Sequence, residues 1–179
     1  MKTRSPFLNS IADYMISRHY SLRTVETYLK WISSYIHFHD KRHPVSMGNN
    51  EVANYLDHLV LKRNVSPRTQ ATALNALVFL YKHIIKNELS LSLDFVRSKK
   101  QPKLPIVMTP DEVKQLISHL SKRYYLIAGL MYGSGLRVME AVQLRVKDID
   151  FDYKCIQVWN GKGNKHRIVT LATELIPLL

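Results

Sequence analysis

Apolar residues recur at helical spacing in three clear segments near the start of the chain. Val25, Tyr28, Leu29, Ile32 and Ile36 form one stripe, and Val52, Tyr55, Leu56, Leu59 and Val60 a second. Leu74, Leu77, Val78, Tyr81, Ile84 and Ile85 form the third. Such stripes are the signature of helices that press one face on a common core. Ser66-Pro67 supplies a start for the third helix, because a serine oxygen caps an orphan amide and proline has no amide to satisfy. Gly48-Asn49-Asn50 precedes the second, and a shorter helix is expected around Leu8 to Ile16. Residues 1–86 therefore read as a four-helix unit.

From Asn87 to Pro105 the periodicity fades, and Arg97, Lys99, Lys100 and Lys103 gather beside Pro102 and Pro105. The stretch 87–105 reads as an extended basic linker. A second domain, 106–179, opens at Thr109-Pro110-Asp111-Glu112, a capping box with proline at the first helical position, and Val113, Leu116, Ile117 and Leu120 continue that helix. Another apolar helix is expected near Tyr124 to Met131, ending at Gly133-Ser134-Gly135, followed by a short one from about Leu136 to Leu144. The pattern then changes to strands at Cys155 to Trp159 and His166 to Leu171. Between them Asn160-Gly161-Lys162-Gly163-Asn164 is a turn signal, so a β-hairpin with a lysine near its tip is expected. Ala172 to Leu179 reads as the start of another helix. The fold class is mainly α with one small β-hairpin or sheet.

Composition narrows the function. An apolar fraction of 46% over 179 residues is ample for a core. No apolar run is long enough to span a bilayer and no signal-peptide core follows Met1, so the expected location is cytoplasmic, with no membrane partner. A single cysteine, Cys155, excludes an internal disulfide and a multi-cysteine zinc site. The balance of 26 basic against 14 acidic residues gives +12, which points to a polyanionic partner. The excess is +7 in residues 1–86, +2 in 87–105 and +3 in 106–179, counted from the chain.

Two glycine motifs fail as nucleotide sites. Gly133-Ser134-Gly135 lacks the third glycine and a preceding strand, and Asn160-Gly161-Lys162-Gly163 lacks the P-loop spacing and its Lys-Ser/Thr pair. What remains is Arg137, just past a glycine turn at the start of a helix, and Lys162 on the hairpin. An arginine there can offer a bidentate fork to phosphate oxygens, and a hairpin lysine can reach a leaving oxygen. Taken singly, an arginine paired with Glu140 and a solvated turn lysine are the simpler readings.

The surrounding text resembles a known family. Gly135-Leu136-Arg137-Val138-Met139-Glu140, then Leu144, Asp148-Ile149, and Gly161-Lys162-Gly163-Asn164-Lys165-His166-Arg167 is similar to the first half of the tyrosine recombinase catalytic domain. A helical core-binding, SAM-like domain before a basic linker also fits that family. The N-terminal wording further resembles integron integrases: His19-Tyr20-Ser21, Trp31-Ile32, Phe38-His39, Lys41-Arg42-His43-Pro44, Asn64-Val65-Ser66-Pro67, Ala73-Leu74-Asn75-Ala76-Leu77 and Phe79-Leu80-Tyr81.

The resemblance implies roles. Arg137 would stabilise charge on the scissile phosphate, Lys162 would protonate the leaving 5′-oxygen, and Glu140 would orient the region around Arg137. It implies no metal and no other cofactor, a homo-tetramer acting on two DNA sites, and cassette exchange between double-stranded and folded single-stranded sites through a 3′-phosphotyrosyl intermediate. In that family the His-x-x-Arg box, a further His or Trp and the nucleophilic tyrosine follow the hairpin. Residues 106–179 are accordingly expected to be the N-terminal part of an α+β catalytic domain, truncated after the hairpin and partly ordered without the rest. By itself the chain of residues 1–179 would bind DNA, associated with the bacterial nucleoid, without completing catalysis. The alternative is a non-catalytic truncated DNA-binding module. DNA contacts are expected at Lys41, Arg42, Arg63, Arg68, Lys99, Lys100, Lys103, Lys165 and Arg167, chiefly with phosphates.

Overall fold

A computed structural model describes residues 5–90, 93–101, 104–159, 161 and 165–179. It divides into two compact units, Met1–Leu104 and Pro105–Leu179. The first is helical: α1 (Pro6–Ser17), α2 (Leu22–Phe38), α3 (Asn49–Leu61) and α4 (Pro67–Phe79). Serine side chains cap three of these starts. Ser5, Ser21 and Ser66 accept from the amides of Leu8, Thr24 and Thr69, satisfying amides that the first turn leaves without partners. For α3, whose cap is Gly48, the Glu51 carboxylate accepts from the Gly48 amide at 2.8 Å.

The core of this unit collects Ile11, Met15, Ile32, Tyr35, Leu56, Leu59 and Leu77, all fully buried. Each such side chain contributes roughly 1.5–3 kcal/mol relative to exposure. The face of α4 and the turn after it keeps most of the expected stripe, with Leu77 and Tyr81 fully buried and Leu74, Ile84 and Ile85 packed against the core. Ala73, Ala76, Leu77 and Leu80 are buried, while Val78 is left 40% exposed. Alanine carries little apolar signal in a sequence, yet its small side chain suits a helix face pressed on a neighbour. After Phe79 the helix widens into a π turn, Leu80–Ile85, which ends at Lys86 in the left-handed region (φ 59°). In this turn Tyr81 is fully buried; its hydroxyl lies 2.9 Å from that of Tyr35 and donates to the Pro44 carbonyl.

The basic stretch after the helices is tied down. Leu89, Leu93 and Phe95 pack against the helical core. Buried Gln70 of α4 donates to the Val96 carbonyl at 2.7 Å and accepts from the Ser98 amide at 2.9 Å. The Val96 amide donates to Asp57 and the Ser98 hydroxyl to the Val65 carbonyl. Residues 93–98 therefore form a strap on the first unit, because a glutamine from α4 supplies the hydrogen bonds that an extended strand would otherwise make to water.

The second unit contains α5 (Pro110–Ser118), α6 (Lys122–Gly133), α7 (Val138–Val142) and an antiparallel sheet in the order β1 (Ile149–Asp150), β2 (Cys155–Val158), β3 (Arg167–Thr170). The Thr109–Glu112 capping box forms as expected. The hairpin register pairs Cys155 with Thr170 and Val158 with Arg167. Ala172 to Leu179 is not an α-helix; Thr173–Leu178 is a 3-10 turn with Pro177 inside it, and proline cannot supply an interior helical amide. The core here is small: Leu130, Leu136, Ala141, Ile156, Val158, Leu171 and Leu175. No residue of α5 is buried, and Leu116, Tyr124, Tyr132, Met139 and Val142 remain more than half exposed.

Candidate catalytic cleft

The cleft is built from a turn, a short helix and a hairpin. Gly135 stands at φ +64°, a left-handed conformation that costs a side-chain-bearing residue about 1–2 kcal/mol. The turn seats Leu136 in the small core, 4% exposed, and delivers Arg137 as the cap residue of α7. Three residues on, Glu140 accepts from the Arg137 amide at 2.8 Å (Oε2) and from its Nη1 at 2.9 Å (Oε1). From β3, Arg167 donates Nη1 to Oε1 at 2.9 Å and Nη2 to Oε2 at 2.6 Å. The Arg167 hydrogen bonds, reinforced by those from Arg137, hold the Glu140 carboxyl down at about 2 against burial that works the other way.

A second pair repeats this spacing. Arg145 donates Nε to Asp148 Oδ2 at 2.8 Å and Nη2 to Oδ1 at 3.2 Å, and the Arg145 hydrogen bonds lower the Asp148 carboxyl. Arg137, Glu140, Arg145, Asp148, Gln157 and Trp159 line a cleft of about 570 Å³. Three guanidiniums against two carboxylates leave the neighbourhood with excess positive charge. Among the described residues only Nη1 of the Arg137 guanidinium is engaged, and the side chain is 55% exposed. Its remaining N–H donors can therefore receive an oxyanion from the cleft. No group of three or more His, Cys, Asp or Glu arranged for a metal occurs among the described residues.

The other expected site residues fall in three places. Lys162 and Lys103 lie outside the described residues. Lys100 is exposed and donates Nζ to the Asn64 carbonyl at 2.9 Å, which brings the end of the strap to the α3–α4 turn that also carries exposed Arg63. Arg68 is exposed in the first turn of α4, and Lys99 is exposed beside Lys100. Lys41 and Arg42 follow α2, with Arg42 bonded to the Ser46 carbonyl and 3.5 Å from Glu51. Lys165 is exposed, whereas Arg167 is turned onto Glu140. Sequence reasoning did not single out Arg145, Asp148 or Trp159 for the cleft. The Arg-x-x-Asp spacing, identical to Arg137-x-x-Glu140, was the available signal.

A four-helix unit is thus followed by a helix-and-hairpin unit that carries an arginine-lined cleft. Residues 7–91 match the phage integrase N-terminal SAM-like domain, and residues 107–179 match the phage integrase family. The chain belongs to the phage integrase family of tyrosine recombinases. It is 42% identical over 172 residues to an Escherichia coli "Integrase/recombinase", covering 96% of this chain and 51% of that protein. It is 30% identical over 184 residues to the tyrosine recombinase XerA of Pyrococcus horikoshii, covering 98% and 61%. The chain spans about half the length of the Escherichia coli relative and three-fifths of the Pyrococcus horikoshii one. The fold is shared with XerH recombinase bound to its difH substrate (TM-score 0.62, 21% identity, 96% of this chain and 53% of that one). It is shared also with the Tn1549 transposon integrase in complex with circular intermediate DNA (TM-score 0.62, 18% identity, 95% and 62%). No helix among the described residues is long and apolar enough to cross a membrane.

Proposed function

We propose that the protein acts in site-specific DNA recombination of the integron integrase type, with residues 1–86 and 106–179 as its core-binding and partial catalytic domains. The observation that carries this reading is the Arg137 guanidinium: placed at the cap of α7, exposed to the cleft and, among the described residues, engaged through Nη1 alone. Arg137 stabilises the charge that develops on a scissile phosphate, Glu140 orients it, and Lys162 protonates the leaving 5′-oxygen. A tyrosine hydroxyl attacks the phosphorus, forming a 3′-phosphotyrosyl bond while the 5′-oxygen leaves with a proton. A 5′-hydroxyl from the partner strand reverses the step, so the phosphodiester energy is conserved without ATP. Four protomers act on two DNA sites, one double-stranded and one a folded single strand.

DNA as the partner is supported by the +12 charge and by the shared fold of XerH bound to its difH substrate and of the Tn1549 integrase in complex with circular intermediate DNA. The integron reading is tested by joining residues 1–179 to the C-terminal segment of the Escherichia coli relative and offering two nicked substrates. Covalent capture of both a folded single-stranded cassette site and a duplex attachment site is expected. Capture of duplex alone contradicts the integron type, and binding without capture of either supports the non-catalytic module.

A further inference from the structure

Glu140 is shared between two arginines that hold it differently. Arg167, 27 residues away on β3, donates two hydrogen bonds, one from each terminal nitrogen to a different carboxylate oxygen, and its side chain is 33% exposed. Arg137 gives one side-chain hydrogen bond and is 55% exposed. The carboxylate itself is only 12% exposed. A bidentate guanidinium fork is the stronger and more directional contact, so Arg167 anchors the acid while Arg137 is its looser partner. The base of the hairpin closes on this pair. Gly161 donates its amide to the Lys165 carbonyl at 2.9 Å, and a Cβ added there would stand 3.1 Å from Arg167 Nη1 and 3.3 Å from Glu140 Oε1. Glycine at this position lets the hairpin backbone lie directly against the ion pair.

We infer that Arg167 is a positioning residue, committed to Glu140 and not to DNA, whose task is to release Arg137. If Arg137 turns from Glu140 to a phosphate, a largely covered carboxylate loses a partner. With Arg167 in place the acid stays neutralised and hydrogen-bonded, so the exchange leaves no stranded charge. Without Arg167, Glu140 competes with the phosphate for Arg137. This inference rests on the proposed role of Arg137, and it moves Arg167 from the expected phosphate contacts to the machinery that holds the cleft.

Binding and chemistry separate the two roles. Arg167→Ala and Arg167→Lys are compared with the parent for affinity to an attachment-site duplex over a salt series, and for single-turnover capture of a nicked duplex by the extended polypeptide. Affinity within two-fold and an unchanged salt slope are expected, with capture at saturating DNA slowed at least ten-fold in Arg167→Ala and partly restored in Arg167→Lys, which returns the charge without the fork. A salt slope flatter by about one, with affinity lost across all sequences, marks a phosphate contact and overturns the inference. Unchanged capture overturns it too. If Arg167→Ala does not fold, Arg167→Lys carries the comparison, with capture reduced at unchanged affinity as the expected result. If the parent gives no covalent product, the recombinase reading fails by itself. The release role is then decided by titrating inorganic phosphate against the Arg137 Nε–Hε signal in the 179-residue chain. A midpoint several-fold higher in Arg167→Lys is expected, and equal midpoints contradict it.

Discussion

Replacing Glu140 with glutamine removes the charge on which two arginines converge while keeping nearly the same shape. The carboxyl is held at about 2, against an ordinary 4.5. At 1.36 kcal/mol per unit this corresponds to an upper bound of about 3 kcal/mol favouring the folded state at neutral pH. Solvent screening reduces it, because Arg137 is 55% and Arg167 33% exposed, and roughly 1–2 kcal/mol is the appropriate figure. Spread over a unit of this size, Glu140→Gln should lower the unfolding midpoint of residues 105–179 by about 5–10 °C near pH 7. The pH dependence has a definite sign. A carboxyl whose folded value is depressed contributes stability above its ordinary value and loses it as pH falls from 4.5 toward 2. Thermal unfolding followed by circular dichroism between pH 2 and 7 should therefore show parent and variant converging at the acid end. A variant as stable as the parent at pH 7, or a gap that persists undiminished at pH 2, refutes the reasoning.

Three further outcomes follow from other parts of the structure. Gly135→Ala should cost about 1–2 kcal/mol through backbone strain alone, since among the described residues no atom lies within 4 Å of the added Cβ; an unchanged melting temperature would show that the turn adopts another conformation. Leu56→Ala, at a fully buried position of the helical core, should destabilise that unit by about 2–5 kcal/mol in denaturant unfolding, and a loss below 1 kcal/mol would mean the core is not packed as described. Lys99→Ala and Lys100→Ala should each weaken DNA binding similarly across sequences and flatten the salt slope by about one, whereas altered sequence preference alone would count against phosphate contacts there.

The helical boundaries were legible because their signals are local. Ser66-Pro67 and the Thr109 to Glu112 capping box act within one turn, and the Asn160 to Asn164 text between two β-prone runs announced the strands on either side. Features that depend on distant partners were not legible. The strap over residues 93–98 needs Gln70, buried on α4, and nothing in a basic, proline-bearing stretch announces a glutamine some 26 residues earlier. The two-residue β1 is too short to leave an alternation pattern. Arg137 stood out by its place after a glycine turn, but the tie between Arg167 and Glu140 spans 27 residues and two elements. A strand arginine beside a lysine reads, from sequence alone, as one more phosphate contact. Periodicity alone marks which face of α5 and α6 is apolar and not whether anything covers it, so the exposure of Leu116, Tyr124 and Tyr132 could be expected only from the family resemblance.

The most direct test of the central claim compares the extended polypeptide with its Arg137→Ala variant in covalent capture of a nicked recombination-site oligonucleotide, with DNA affinity measured alongside. Capture by the parent, lost at least 100-fold in Arg137→Ala on the scale of a transition-state contact while binding persists, is the predicted result. Equal capture by both proteins would contradict the assignment of Arg137 to the reacting phosphate.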